Sequence, residues 1–208
     1  MKINIAILGS TGSIGQNILD VVRKDKKNLK VVLLTANKNY KKLIQQAKEF
    51  KVKNILIYND KYYELLKIKL KGRKINIFSR KTKFNKILKK KVDYTICGIS
   101  GLEGLKPTLD VIKFTKTIAS ANKESIICGW HLINKKLKKY NTKFIPVDSE
   151  HYSIWNLTRE YSNNDVEEII LTASGGPLLN LPIAIQKTIT PEKTVRHPKW
   201  KMGKKISV

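Results

Sequence analysis

Two small-residue turns carry the first chemistry in this sequence. "GSTGSIG" (9–15) follows the apolar run "INIAIL" and sets Gly9, Gly12 and Gly15 in G-x-x-G-x-x-G spacing. Glycines so placed allow a tight turn, close approach of a pyrophosphate and close packing of the next helix. The helix start offers open N–H groups to the anion, with Thr11 and Ser13 as extra donors. The spacing differs by one residue from the usual dinucleotide fingerprint, and a lone glycine motif also marks ordinary strand–helix turns. Its place after the first strand of the chain favours the cofactor reading. "LTASGGP" (171–177) ends a second apolar run in Ser174, Gly175 and Gly176. Two such turns point to two anion sites, one for a cofactor and one for something else.

The end of the second strand discriminates between cofactors. An NAD site usually has an acid there for the ribose hydroxyl. "TANKN" (35–39) has none. Asn37 can hydrogen-bond, and Lys38 can neutralise a 2′-phosphate, which favours NADP(H). In so lysine-rich a chain, the missing acid is the better clue.

The elements that position these turns alternate. Apolar runs at 3–9, 29–36, 54–59, 75–79, 92–100 and 116–121 read as strands. Helical stripes separate or follow them: residues 13–24; Leu43, Ile44, Ala47 and Phe50; Leu65, Leu66 and Leu70; Leu102, Leu105, Leu109 and Ile112; Ile126, Trp130, Ile133 and Leu137. Such alternation predicts a parallel sheet covered on both faces. After about residue 142 the pattern changes. Residues 143–151 read as a strand running into polar residues, 167–174 as another strand, and the tail as a polar loop. A domain boundary is expected near 145.

The formal net charge is +26 over 208 residues. A nucleic-acid binder is one reading of that charge. Nearly all the cations are Lys, however, and Ile and Asn are plentiful too. These residues share A- and T-rich codons, and a chain selected for phosphate contact favours Arg. Compositional drift is the preferred reading, with no specific nucleic-acid partner and no membrane partner expected. The amino terminus is too short and strand-like for a signal peptide. Cys97 and Cys128 lack metal or disulfide spacing. A cytoplasmic location is expected.

Three further motifs complete a pattern: "ANKES" (121–125), "PVDSEH" (146–151) and "HPKWKMGKKIS" (197–207). Together with "GSTGSIG" and "TASGGP", in this order and spacing, the chain resembles the 1-deoxy-D-xylulose 5-phosphate reductoisomerase family over essentially its whole length. The resemblance implies an α/β fold. A Rossmann-like doubly wound parallel sheet (1–145) binds NADPH, and part of an α+β catalytic domain (146–208) holds metal and substrate. The implied reaction rearranges 1-deoxy-D-xylulose 5-phosphate and reduces the product with NADPH to 2-C-methyl-D-erythritol 4-phosphate, in non-mevalonate isoprenoid biosynthesis.

The implied site residues follow by position. Ser10, Ile14, Ala36 and Asn39 join Gly9, Thr11, Gly12, Ser13, Asn37 and Lys38 at the cofactor, with Asn122 and Glu124 beside them. Lys123 lies near the substrate oxygens and the nicotinamide. Asp148 and Glu150 bind Mg²⁺ or Mn²⁺, with Co²⁺ a further option; hard oxygen ligands suit such a cation. A lone D-x-E is more often a solvated acidic turn, but this chain is short of acids. Ser149 and Glu150 contact substrate, Ser174 its phosphate, His197 orients substrate or phosphate, and Trp200 and Met202 belong to a closing loop; Lys123, Ser149 and His197 are the implied catalytic residues. Asn122 is also a natural helix N-cap, with Glu124 in the first turn. Leu178 stands where the family usually has Phe, and "YSIWN" replaces an Ala-Ile-Phe-Gln-like run.

The family continues after "KISV" with further phosphate ligands and a third metal carboxylate, and is typically a homodimer. The chain therefore reads as truncated, able to bind NADPH but poor at turnover alone. Two alternatives remain: another NADP-linked oxidoreductase with the same glycine loop, and a basic nucleic-acid-binding protein. "PVDSEH" and "HPKWKMG" argue against the first. The second requires duplex binding that survives physiological salt.

Overall fold

The computed structural model of the chain describes residues 1–172 and 175–196. They fall into two compact units, one spanning Met1–Glu160 and one beginning at Tyr161. The first contains seven parallel strands: β1 (Ile3–Leu8), β2 (Leu29–Ala36), β3 (Asn54–Ile57), β4 (Asn76–Ser79), β5 (Val92–Cys97), β6 (Thr115–Ser120) and β7 (Lys143–Pro146). They lie in the order β4-β3-β2-β1-β5-β6-β7. The expected Rossmann-like doubly wound sheet is what the chain forms. β7 ends at Pro146 and the compact unit runs on to Glu160, so it takes in the whole of "PVDSEH" (146–151).

Alternate residues of β1 feed two cores, as the period of a strand requires. Ile5 and Ile7 pack with Leu19 and Val22 of α1 (Ser13–Lys24), Leu43 and Ala47 of α2 (Tyr40–Glu49) and Leu66 of α3 (Asp60–Lys69). Ala6 and Leu8 face the other side, with Phe84 and Ile87 of α4 (Phe84–Ile87), Val111 of α5 (Leu105–Val111) and Ile133 and Leu137 of α6 (Lys123–Tyr140). Burying each large apolar side chain contributes about 1.5–3 kcal/mol.

The register aligns the strand ends. Leu8 pairs with Cys97, Cys97 with Ser120, and Ser120 with Pro146. The residues following β1, β5, β6 and β7 therefore line one edge of the sheet. The chain leaves β1 toward β2 on one side and later returns to β5 on the other. Ligands of such folds bind at that reversal, beyond the carboxyl ends of the strands.

Several expectations need correction. The strand expected over 143–151 ends at Pro146, and a helix, α7 (Ser149–Thr158), begins three residues later. Asp148 caps it and Glu150 sits in its first turn, so the acids that suggested a polar strand end are a helix-start signature. The helix expected over 102–114 is α5 flanked by 3₁₀ turns at Leu102–Gly104 and Ile112–Phe114, and Leu102 is exposed. In the second unit, the described part of the expected strand at 167–174 is not a strand. Ile169, Ile170 and Leu171 are exposed. A strand needs a hydrogen-bonded neighbour, and none pairs with it among the described residues. That unit contains a 3₁₀ turn at Gly176–Leu178 and two short helices, α8 (Ile183–Gln186) and α9 (Pro191–Thr194). No described helix is long and apolar enough to cross a membrane.

Candidate active site

The glycine loop begins where β1 stops. Gly9 has φ +82°, and a Cβ there would stand 2.9 Å from the carbonyl oxygen of Gly98, which follows β5. Left-handed backbone and close approach both require glycine. At Gly15 a Cβ would fall 2.4 Å from Ser10 Cα, so this glycine lets α1 press against the loop. Gly12 differs: its nearest prospective neighbour is the Gly9 carbonyl oxygen at 3.5 Å, an ordinary contact. Gly12 is also the N-cap of α1, with no side chain capping the first turn. Gly12, unobstructed by any close contact, and the uncapped amides of Ser13, Ile14 and Gly15 form a cradle that fits a pyrophosphate.

Ser10 has another task. It is fully buried, and its hydroxyl donates to Gln46 Oε1 at 2.8 Å, while Gln46 Nε2 donates to the Ser10 carbonyl at 2.9 Å. Its amide donates to the Thr35 carbonyl at 2.8 Å, and Thr35 Oγ1 accepts from the Gly9 amide at 3.0 Å. The Ser10 side chain thus fixes the loop to β2 and α2. Gln46 and Thr35 carried no sequence signal, because a lone glutamine on a polar helix looks like any surface residue.

Beyond β2, Ala36 is buried whereas Asn37 and Lys38 are exposed. The Asn37 carbonyl accepts from the Asn59 amide at 3.2 Å. Asn39 caps α2, accepting from the Lys42 amide at 3.1 Å. The backbone is thereby fixed while the side chains of Asn37 and Lys38 stay free to meet a ligand.

At the end of β6, Asn122 caps α6 by accepting from the Ser125 amide at 2.9 Å. Its Nδ2 donates to the Gly101 carbonyl at 2.7 Å and also to the Ile99 carbonyl. The N-cap expectation holds, and the side chain ties the β5–α5 loop to α6. Lys123, next in sequence, projects its ammonium to within 3.8 Å of Glu150 Oε1. Glu124 is half-buried in the same turn.

At the end of β7, Asp148 Oδ1 accepts from the His151 amide at 3.1 Å and lies 2.7 Å from His151 Nδ1. Its other oxygen, Oδ2, is buried with no hydrogen-bond partner among the described residues. A bare buried carboxylate oxygen is costly unless something binds it. With Glu150 nearby in sequence and Ser149 exposed between them, this oxygen suits a hard divalent cation. No group of three or more His, Cys, Asp or Glu side chains able to hold a metal forms among the described residues. His151 was missed as an orienting partner. Its spacing three residues after the cap was the available signal.

Ser174, His197, Trp200 and Met202 lie outside the described residues. Gly175 and Gly176 of the same turn are described, with φ +75° and +65°. Two successive left-handed residues account for the glycine pair there.

The family model described as 1-deoxy-D-xylulose 5-phosphate reductoisomerase matches residues 5–129, and its C-terminal domain model matches 144–208. The enzyme of that name from Pelagibacter ubique is 53% identical over 98% of this chain and 53% of its own length. That from Wolbachia pipientis of Culex pipiens is 42% identical over 98% of this chain and 52% of its own. The solved structure of the Zymomonas mobilis enzyme in complex with NADPH aligns with TM-score 0.85 and 35% identity, covering 95% of this chain and 52% of that one. A DOX-P reductoisomerase in complex with NADPH, fosmidomycin and magnesium aligns with TM-score 0.84 and 32% identity, covering 99% and 53%. The chain spans about half the length of the curated relatives it matches.

Proposed function

Because the chain belongs to the 1-deoxy-D-xylulose 5-phosphate reductoisomerase family, we propose that it carries the NADPH site and the first metal carboxylates of that reaction. The whole protein would convert 1-deoxy-D-xylulose 5-phosphate to 2-C-methyl-D-erythritol 4-phosphate, a step of non-mevalonate isoprenoid biosynthesis. The observation that carries this reading is the pairing of Lys123 with Glu150, two residues after Asp148 with its bare Oδ2, on the sheet edge that begins with the glycine loop.

The open amides of Ser13, Ile14 and Gly15 hold the cofactor pyrophosphate, and Asn37 with Lys38 receives the 2′-phosphate. NADPH supplies the hydride. Asp148 and Glu150 would hold Mg²⁺ or Mn²⁺, which when bound supplies Lewis acidity and a template for the substrate oxygens. His151 keeps Asp148 oriented, leaving Oδ2 for the cation. The Lys123 ammonium stabilises negative charge developing on the substrate oxygens. By their match to the family motifs, Ser149 would contact the substrate backbone, Ser174 would bind phosphate, and His197 would orient substrate or phosphate. By their match to the family motif, Trp200 and Met202 would belong to a closing loop that excludes water. A homodimer is proposed for the whole protein.

Two readouts test the two halves. The 208-residue chain should bind NADPH saturably and more tightly than NADH. Oxidation of NADPH should require both 1-deoxy-D-xylulose 5-phosphate and a divalent cation. It should be slow with these 208 residues alone, since they give the metal two carboxylates. Oxidation indifferent to substrate or to chelator would overturn the reading.

A further inference from the structure

We infer that Lys42 is a second cation for the 2′-phosphate of NADPH, and that Gln16 is the residue that positions it. The inference rests on the NADPH reading above. Lys42 lies in the first turn of α2, where its amide donates to the Asn39 cap. Its ammonium reaches across to α1 and donates to Gln16 Oε1. The other end of that amide donates to the carbonyls of Thr11 at 3.0 Å and Gly12 at 3.2 Å. Gln16 is thus a strut from the glycine loop to the lysine.

Lysines are everywhere in this chain, but few are held this way. Lys67, Lys106 and Lys116 each meet a carboxylate. Neither Lys42 nor Lys38 has a carboxylate within ion-pair distance among the described residues. A neutral amide orients the Lys42 charge without cancelling it. Lys38 and Lys42 stand on either side of Asn39 in sequence, at the end of β2, where a dinucleotide places its adenosine ribose. Two uncompensated cations there reward a phosphate dianion and give little to a hydroxyl. A cation aimed at the pyrophosphate would instead favour NADH and NADPH alike.

The test is equilibrium titration of the full chain with four probes: NADPH, NADH, 2′,5′-ADP and 5′-AMP. Lys42→Met should weaken NADPH and 2′,5′-ADP about tenfold or more, the loss of one charge-assisted hydrogen bond, and leave NADH and 5′-AMP within about twofold. Lys42→Arg should restore most of the preference. Gln16→Met should give a smaller loss of the same selective kind, about threefold. Thermal melts confirm that the variants fold. Equal losses for phosphorylated and unphosphorylated probes, or no loss, would overturn the inference while leaving the NADPH reading intact. Equal affinities for NADPH and NADH in the unmodified chain would overturn both.

Discussion

Lys123 Nζ lies 3.8 Å from Glu150 Oε1, joining the start of α6 to the first turn of α7. Both side chains are near half exposed, so water screens the attraction, and such pairs contribute at most about 1 kcal/mol. The pair is therefore poorly explained as a structural tie. Under the proposed function it sets an ammonium beside a metal carboxylate. Lys123→Met and Glu150→Gln should each change unfolding free energy by less than about 1 kcal/mol in urea denaturation. A loss of several kcal/mol would make the pair structural.

Asp148 has two tasks that one pair of substitutions separates. It caps α7 and presents the bare Oδ2. Asn caps a helix as well as Asp does, whereas Ala forfeits about 1 kcal/mol. Asp148→Asn should keep the melting temperature and lose Mn²⁺ binding, read by electron paramagnetic resonance. Asp148→Ala should lose both. Unchanged Mn²⁺ affinity in the Asn variant would remove Asp148 from the metal site.

Gly15 and Gly12 should respond differently to one added methyl. At Gly15 it meets backbone at 2.4 Å, which overpacks a rigid turn, so Gly15→Ala should cost about 3 kcal/mol or prevent folding. Gly12→Ala meets nothing closer than 3.5 Å and should cost within about 1 kcal/mol. Its methyl nevertheless stands over the cradle, so NADPH affinity should fall about tenfold or more. Denaturation and NADPH titration of both variants check the contrast.

Alkaline pH should destabilise the fold through Cys97. Full burial pushes its thiol up from 9.0 to about 12, with Thr108 opposing weakly. Between those values the unfolded chain is a thiolate while the folded chain keeps its proton. Stability is therefore fully present below pH 9 and falls above it, by up to about 1.4 kcal/mol per pH unit. Tyr58, raised by burial, adds a loss of the same sign at higher pH. The stability difference between the unmodified chain and Cys97→Ala should shrink from pH 9 upward. Cys128 is exposed and should react with thiol reagents in the native state, with Cys97 reacting only on unfolding.

Much of the sheet was legible because its strands are apolar runs and its helices keep strict stripes. α1 and β2 fall where the periodicity puts them. The misreadings have local causes. Asp148 and Glu150 look like a polar strand end until the capping role of Asp148 is considered. Ile169, Ile170 and Leu171 have strand composition, but composition cannot supply a pairing partner. At the site, residues with distinctive types and spacing were found. Gln46, Thr35, Gln16 and His151 were not, because their work is to hold other residues, and such partners are close in space rather than in sequence.

In the proposed function, hydride donor and metal share one sheet edge. Adjacent strands lie about 4.8 Å apart, so β7 stands roughly 14 Å from β1. A dinucleotide anchored at the glycine loop and extended over β5 and β6 would bring its nicotinamide toward Asp148 and Glu150. The most direct measurement is the nuclear magnetic resonance of NADPH bound to the chain, titrated with Mn²⁺. Strong paramagnetic broadening of the nicotinamide protons is expected, with weaker broadening of the adenine protons, and neither in Asp148→Asn. Nicotinamide resonances that stay sharp with both ligands bound, or broaden equally in Asp148→Asn, would contradict that shared edge.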